Sequence, residues 1–188
     1  MAETTVTSVN KSKWSTLDMA YIAVFAVLIA ICSWISIPTV VPFTLQTFAV
    51  FAAVGVLGGR RGTLAVLVYI LLGAIGIPVF AGFSGGVSIL FGTTGGYILG
   101  FLLTGLLYWG LTKALGEKLP VMILSMVLGL AVCYAFGTAW FMVVYAKMSG
   151  AIGIGTALGW CVIPFIIPDL CKIALAVALT KVLKPHVK

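Results

Sequence analysis

Charge is scarce in this chain of 188 residues, which has 4 acidic residues and a single histidine. Soluble domains carry about 25% charged residues, whereas here the charged fraction is 8% and the hydrophobic fraction is 62%. This balance excludes a soluble protein. The apolar runs are continuous rather than alternating, which disfavours a membrane β-barrel. The composition therefore predicts an all-α integral membrane protein.

Residues that carry catalytic or metal chemistry are also few. The histidine, His186, lies in the C-terminal tail, so no membrane span offers an imidazole. The cysteines form no C-x-x-C pair, and we expect them to be small buried hydrophobes rather than metal ligands or disulfides. There is no nucleophile paired with a base and no phosphate-binding loop ending in Lys-Ser/Thr. The sequence predicts no enzyme, no metal, no cofactor and no ATP hydrolysis by this chain.

The net charge of +7 has a topological explanation. The cations fall in the loops between apolar runs, where they hold cytoplasmic segments against anionic membrane lipid. We therefore expect lipid, and no nucleic acid, as the partner of these charges.

Apolar runs separated by turn signals predict six membrane spans. Ser15-Thr-Leu-Asp18 resembles a capping box before the first span. Nine glycines between residues 73 and 100 predict irregular backbone, which a membrane tolerates only where protein buries it or a cavity hydrates it. A Gly-rich connection with one interfacial helix is expected over 147–164. The predicted spans are Met19–Ile37, Thr47–Leu57, Thr63–Ile77, Gly95–Leu115, Val121–Tyr145 and Phe165–Val182.

Cation positions predict the orientation of these spans. With both termini in the cytoplasm, nine of the 11 cations lie inside: Lys11, Lys13, Arg60, Arg61, Lys113, Lys118, Lys181, Lys184 and Lys188. The expected organisation is a cytoplasmic segment 1–17, a six-helix membrane domain 18–183 and a cytoplasmic tail 184–188. The Pro-rich loop, the Gly-rich loop and the 147–164 connection then share the outer face.

Asp169 and Lys172 stand out because they lie inside the last apolar run. Three residues apart, they share a helix face, and charged groups within hydrocarbon are functional by default. Pro168 favours a helix start at Asp169, where exposed N–H groups would attract an anion. The alternative is a structural ion pair that ties this span to a neighbour.

Polar and aromatic residues in the outer loops complete the predicted site. Phe43-Thr-Leu-Gln46 offers a hydroxyl and an amide beside a ring, and Phe83-Ser-Gly-Gly86 allows close approach of backbone to a ligand. Ordinary solvated loops are the alternative interpretation. The predicted ligand-binding set is Asp169, Lys172, Gln46, Thr44, Phe43, Phe83, Ser84, Gly85, Gly86, Tyr97 and Tyr145.

Small residues on the first span suggest a contact between helices. Ala23, Ala26 and Ala30 lie on one face, and small residues four apart allow close helix approach. They could pack within this chain or dock another membrane protein.

Together these motifs resemble the BioY family, the biotin-specific substrate-binding (S) components of energy-coupling factor (ECF) transporters. The resemblance rests on Pro42-Phe-Thr-Leu-Gln-Thr-Phe48, Gly58-Gly-Arg-Arg-Gly62, Gly73-Ala-Ile-Gly-Ile-Pro-Val-Phe-Ala-Gly82, Phe91-Gly-Thr-Thr-Gly-Gly-Tyr97 and Pro168-Asp-Leu-Cys-Lys172. One departure is Thr93, where many relatives carry proline.

The resemblance implies a six-helix protein of the bacterial plasma membrane that holds biotin near its outer face. It also implies partnership with a transmembrane coupling protein and two ABC-type ATPases, with the small residues of the first helix facing the coupling protein. A rival interpretation is a self-sufficient channel or secondary carrier for a small organic anion.

Overall fold

The computed structural model describes residues 14–187. Lys11, Lys13, Lys188 and most of the predicted N-terminal segment therefore lie outside the described residues. The helices and strands, in chain order, are α1 (Thr16–Trp34), β1 (Ser36–Ile37), β2 (Phe43–Thr44), α2 (Gln46–Ala74), α3 (Val87–Phe91), α4 (Gly95–Leu115), α5 (Leu119–Ser149), α6 (Ile154–Cys161) and α7 (Ile163–Leu183), with 3-10 turns at Ala81–Phe83 and Lys184–His186.

The described residues form five helical segments that are long and apolar enough to cross a membrane. They are Thr16–Trp34, Gln46–Ala74, Gly95–Leu115, Leu119–Ser149 and Ile154–His186, the last of which joins α6 to α7. The predicted all-α membrane fold is confirmed at this level, with one small addition. The loop after α1 contains an antiparallel ribbon in which Ser36 pairs with Thr44 and Ile37 with Phe43.

The predicted capping box starts α1. The Ser15 hydroxyl accepts a hydrogen bond from the Asp18 amide at 3.1 Å, and the Asp18 carboxylate accepts one from the Ser15 amide at 3.0 Å. These bonds satisfy two amides that the helix itself leaves unpaired. The start of the first apolar run is thus fixed by side chains that precede it.

Helix α2 consists of two arms that meet at Gly58. This glycine has φ 79° and ψ 166°, a conformation that residues with a Cβ rarely adopt. The chain turns back sharply at this break, so that Gly62 in the second arm lies against Val54 in the first. A Cβ on Gly62 would lie 2.5 Å from the Cα of Val54. The sequence predicts a basic turn over Gly58–Gly62, but only Gly58 departs from helical geometry, and residues 59–62 are helical.

Close packing of small residues joins α4 to α5. A Cβ on Gly129 would lie 2.7 Å from the Thr104 methyl group, and one on Gly100 would lie 2.8 Å from the Cys133 sulfur. The Thr104 hydroxyl also donates to the Gly129 carbonyl at 2.9 Å. Such approach is what holds helices together where lipid offers no hydrophobic driving force.

The predicted helix start at Pro168 is wrong. Helix α7 begins at Ile163, and Pro168 lies inside its second turn. Pro164 already occupies the first turn, where the missing N–H of proline costs nothing. Asp169 and Lys172 are therefore mid-helix residues, and an anion cannot meet free amides at Asp169.

Two expectations about small residues also need correction. Ala26 and Ala30 are 1% and 4% exposed and belong to the core of this chain, so they pack internally, and only Ala23 of the three is exposed. Both faces of α1 are apolar, which hides its buried side in the sequence.

The cysteines Cys32, Cys133 and Cys161 are buried as expected, but Cys171 is exposed.

Candidate ligand-binding site

A cavity of about 830 Å³, counted with its open mouth, lies at the end of the molecule that carries the β1–β2 ribbon. The start of α2, the 80–84 loop, α4, α5, the end of α6 and α7 all contribute to its wall. Lining residues are Val41, Pro42, Thr44, Gln46, Thr47, Phe80, Ala81, Ser84, Ile89, Thr94, Tyr97, Ile98, Phe101, Cys133, Tyr134, Cys161, Phe165, Asp169 and Lys172.

Lys172 is buried on the wall of this cavity. Its ammonium donates to the Asp169 Oδ1 at 2.8 Å and to the Thr44 backbone carbonyl at 2.6 Å. It also lies 4.2 Å from the centroid of the Phe43 ring, within range of a cation–π interaction. Lys172 therefore ties α7 to β2, and its charge is compensated inside the protein.

Asp169 is 2% exposed and accepts three hydrogen bonds. Besides Lys172, the Thr47 hydroxyl donates to Oδ1 at 2.9 Å and the Tyr134 hydroxyl donates to Oδ2 at 2.6 Å. Each carboxylate oxygen has two lone pairs. Within residues 14–187 only Tyr134 bonds to Oδ2, so this oxygen retains one acceptor position for a ligand N–H group.

A second acceptor comes from the start of α2. Gln46 is buried, its side-chain amide nitrogen donates to the Tyr69 hydroxyl at 2.8 Å, and its backbone amide donates to the Thr44 hydroxyl at 3.2 Å. These bonds orient the Gln46 side chain at the cavity wall. Its side-chain carbonyl has no donor among the described residues and is a second place for a ligand N–H.

The remaining wall is apolar and aromatic. Phe165 lines the cavity and stacks on Phe43 with centroids 5.8 Å apart, while Ile98 and Phe101 contribute from α4. Tyr97 also lines it, with its hydroxyl 2.9 Å from the Thr138 hydroxyl. The cavity therefore suits a small ligand with an apolar body and N–H donors at one end.

The structure brings six of the predicted residues to the cavity: Thr44, Gln46, Ser84, Tyr97, Asp169 and Lys172. Phe43 lies behind them, against Lys172 and Phe165.

The other four predicted residues do not line the cavity. Phe83 is 65% exposed and stacks on Trp34 at 5.0 Å, and Tyr145 stacks on Phe141 at 5.3 Å. The Gly85 backbone packs on the Ile77 carbonyl, and the Gly86 amide donates to the Gly73 carbonyl at 2.7 Å. These two glycines shape the loop rather than the wall of the cavity.

Sequence reasoning missed Tyr134 and Thr47, the two hydroxyls on Asp169. In an apolar run a tyrosine looks like any packing aromatic, although a buried phenol usually needs a hydrogen-bond partner. A lone buried carboxylate in the neighbouring span was the available signal, but it could not identify which tyrosine pairs with it.

Comparison with known proteins gives consistent matches along almost the whole chain. A model of the BioY family matches residues 6–188. The "Biotin transporter BioY" of Thermotoga maritima is 43% identical over 162 residues, covering 86% of this chain and 92% of that protein. The "Probable biotin transporter BioY" of Pyrococcus horikoshii is 38% identical over 165 residues, covering 87% and 94%.

A solved structure resembles the fold as well. The crystal structure at 2.1 Å of the S-component for biotin from an ECF-type ABC transporter aligns with a TM-score of 0.77 and 28% identity. The alignment covers 89% of this chain and 90% of that chain.

Proposed function

The chain belongs to the BioY family, and we propose on that premise that it is the biotin-binding substrate component of an ATP-driven vitamin uptake transporter. It is a transport protein and not an enzyme. The observation that carries the proposal is the buried Asp169, which retains one acceptor position toward a mainly apolar cavity.

Biotin matches this cavity group by group. Its ureido ring carries two N–H donors, which Asp169 Oδ2 and the Gln46 side-chain carbonyl would accept. Its bicyclic body is apolar and would pack against Phe101 and Phe165. A hydrogen bond to a charged acceptor contributes about 1.5–3 kcal/mol, so Asp169 would supply the strongest polar contact.

Lys172 would also meet biotin, through an exchange of partners. Its ammonium already donates hydrogen bonds to Asp169 and the Thr44 carbonyl and contacts the Phe43 ring. A ligand oxygen, either the ureido carbonyl or the carboxylate, would replace one of these contacts. Thr44 and Ser84 would close the cavity on the side of the loops.

We further propose six spans with both termini in the cytoplasm. The break at Gly58 divides α2 into arms of 46–57 and 59–74, and the close approach of Gly62 to Val54 beside the break supports counting the arms as two spans. Arg60, Arg61, Lys113, Lys118, Lys181 and Lys184 then lie at one end of the helices, opposite the cavity. The positive-inside rule assigns that end to the cytoplasm of a bacterial cell.

Energy for transport would come from other proteins, because the sequence contains no ATP-binding loop. We propose the partners of an ECF transporter: a transmembrane coupling protein and two ABC-type ATPases. Ala23, on the exposed face of α1, is the member of the predicted docking set that remains available to the coupling protein.

Identification of the bound molecule tests the biotin assignment. Protein purified from cells grown with biotin should release biotin on denaturation, detected by mass spectrometry. Another organic anion in its place would contradict the assignment. Uptake by proteoliposomes that hold this chain alone, without ATP, would favour the rival channel or carrier.

A further inference from the structure

A second cavity lies at the opposite end of the molecule from the biotin cavity and has no role in the proposed function. It is enclosed by the N-terminal end of α1, the Gly58 break of α2 and the C-terminal end of α4. Its lining residues are Trp14, Asp18, Leu57, Gly58, Gly59, Arg60, Arg61, Trp109, Thr112, Lys113 and Glu117. Cations, two indoles and two carboxylates therefore share one polar recess.

The carboxylates of this cavity are already compensated. Asp18 pairs with Arg61 at 2.7 Å, and Glu117 pairs with Lys184 at 2.5 Å. No carboxylate in the described part of the chain pairs with Arg60 or Lys113, both of which are exposed. The Arg60 guanidinium lies 4.0 Å from the centroid of the Trp14 ring, which orients it while leaving its N–H groups for an anion.

The surface of α4 next to this cavity has the order of groups that a phospholipid contacts. Leu106, Trp109 and Lys113, spaced by three and four residues, lie on one helix face, and all three are exposed. Apolar, aromatic and cationic side chains follow one another toward the helix end. Acyl chain, glycerol region and phosphate occupy the same order in a bilayer leaflet.

From these observations we propose that the recess formed by Arg60, Lys113, Trp14 and Trp109 binds the headgroup phosphate of an anionic phospholipid. Arg60 and Lys113 contact the phosphate oxygens, Trp109 lies at the glycerol level, and Leu106 contacts an acyl chain. Basic recesses between membrane helices are a known form of headgroup site. A free phosphate ion would contact Arg60 and Lys113 but would make no contact with Trp109 or Leu106.

Native mass spectrometry of the full chain in detergent tests the proposal, with phosphatidylglycerol as the probe and phosphatidylcholine as the neutral comparison. We expect phosphatidylglycerol to bind preferentially to the wild type. The double variant Arg60→Gln/Lys113→Gln should bind it about tenfold more weakly or worse. The matched control Lys118→Gln/Lys181→Gln loses the same charge at the same end but outside the cavity, and should stay within about twofold of wild type.

Each other outcome overturns the proposal. An equal loss of phosphatidylglycerol binding in both double variants would show that the lipid is held by the overall surface charge and not by this recess. Equal binding of the two lipids would mean that headgroup charge is not recognised. Displacement of the lipid by excess inorganic phosphate, or its replacement by a Glu-rich peptide, would assign the recess to a free ion or an acidic protein segment. An unchanged thermal unfolding temperature in all variants establishes that the fold is intact.

Discussion

At the scale of single residues, the hydroxyl of Tyr134 distinguishes the observed site from the one that the sequence suggests. Tyr134 lines the cavity, and its hydroxyl donates to Asp169 Oδ2 at 2.6 Å. Tyr145 instead stacks on Phe141 outside the cavity. A carboxylate buried inside a membrane domain needs hydrogen-bond donors to replace the water that it loses. Tyr134 thus positions the oxygen that we expect to accept a biotin N–H.

The two tyrosines make a matched test. Tyr134→Phe removes a donor to Asp169, the carboxylate proposed to accept a biotin N–H, and should weaken biotin binding by about tenfold, as expected for one charge-assisted hydrogen bond. Tyr145→Phe removes a hydroxyl outside the cavity and should leave affinity within about twofold. Isothermal titration of the purified variants measures both. A larger loss from Tyr145→Phe would restore the assignment predicted from sequence.

At the scale of elements, the two sides of α1 have different roles that its composition conceals. Ala26 is 1% exposed in the core, while Ala23, three residues earlier, is exposed. Leucine at position 26 should overpack the core and lower stability by about 1–3 kcal/mol.

Leucine at position 23 should leave the unfolding temperature unchanged but reduce co-purification of the coupling protein. Thermal unfolding and pull-down of each variant separate the two effects. A stable Ala26→Leu variant that loses only the coupling protein would contradict the internal packing of Ala26.

The break in α2 gives a second prediction at this scale. Gly58 has φ 79° and ψ 166°, a backbone region essentially restricted to glycine, which costs a residue with a Cβ about 1–3 kcal/mol. Gly58→Ala should therefore lower the unfolding temperature. Gly110→Ala is the control, since a Cβ there meets nothing within 4 Å and alanine favours a helix. Equal stability of the two variants would show that the positive φ at Gly58 is not required.

Predictions from the sequence differ most from the structure where a residue's role depends on contacts between separate helices. Ser15 and Asp18 reveal the start of α1 because their cap is local, and Asp169 and Lys172 stand out because charge is rare in apolar runs. Pairing of Tyr134 with Asp169 joins residues 35 apart on different helices. The buried side of α1 is equally a tertiary property, since both of its sides are apolar.

At the scale of the whole molecule, the charges distinguish the two ends of the helices. We expect Lys147→Cys, at the end that carries the cavity lined by Asp169, to react with an impermeant maleimide in intact cells. Lys113→Cys, at the other end, should react only after the membrane is opened. Labelling of position 113 in intact cells would contradict a cytoplasmic location for that end.

The central claim is that Asp169 and Lys172 bind biotin rather than only hold α7 in place. Titration of biotin into purified, monodisperse Asp169→Asn and Lys172→Met tests it most directly, with Lys147→Met as the control that removes a charge outside the cavity. Loss of one partner from a buried charged pair costs about 2–5 kcal/mol, so affinity should fall roughly 30-fold to several-thousand-fold. The control should bind like wild type. Wild-type affinity in both cavity variants would contradict the account.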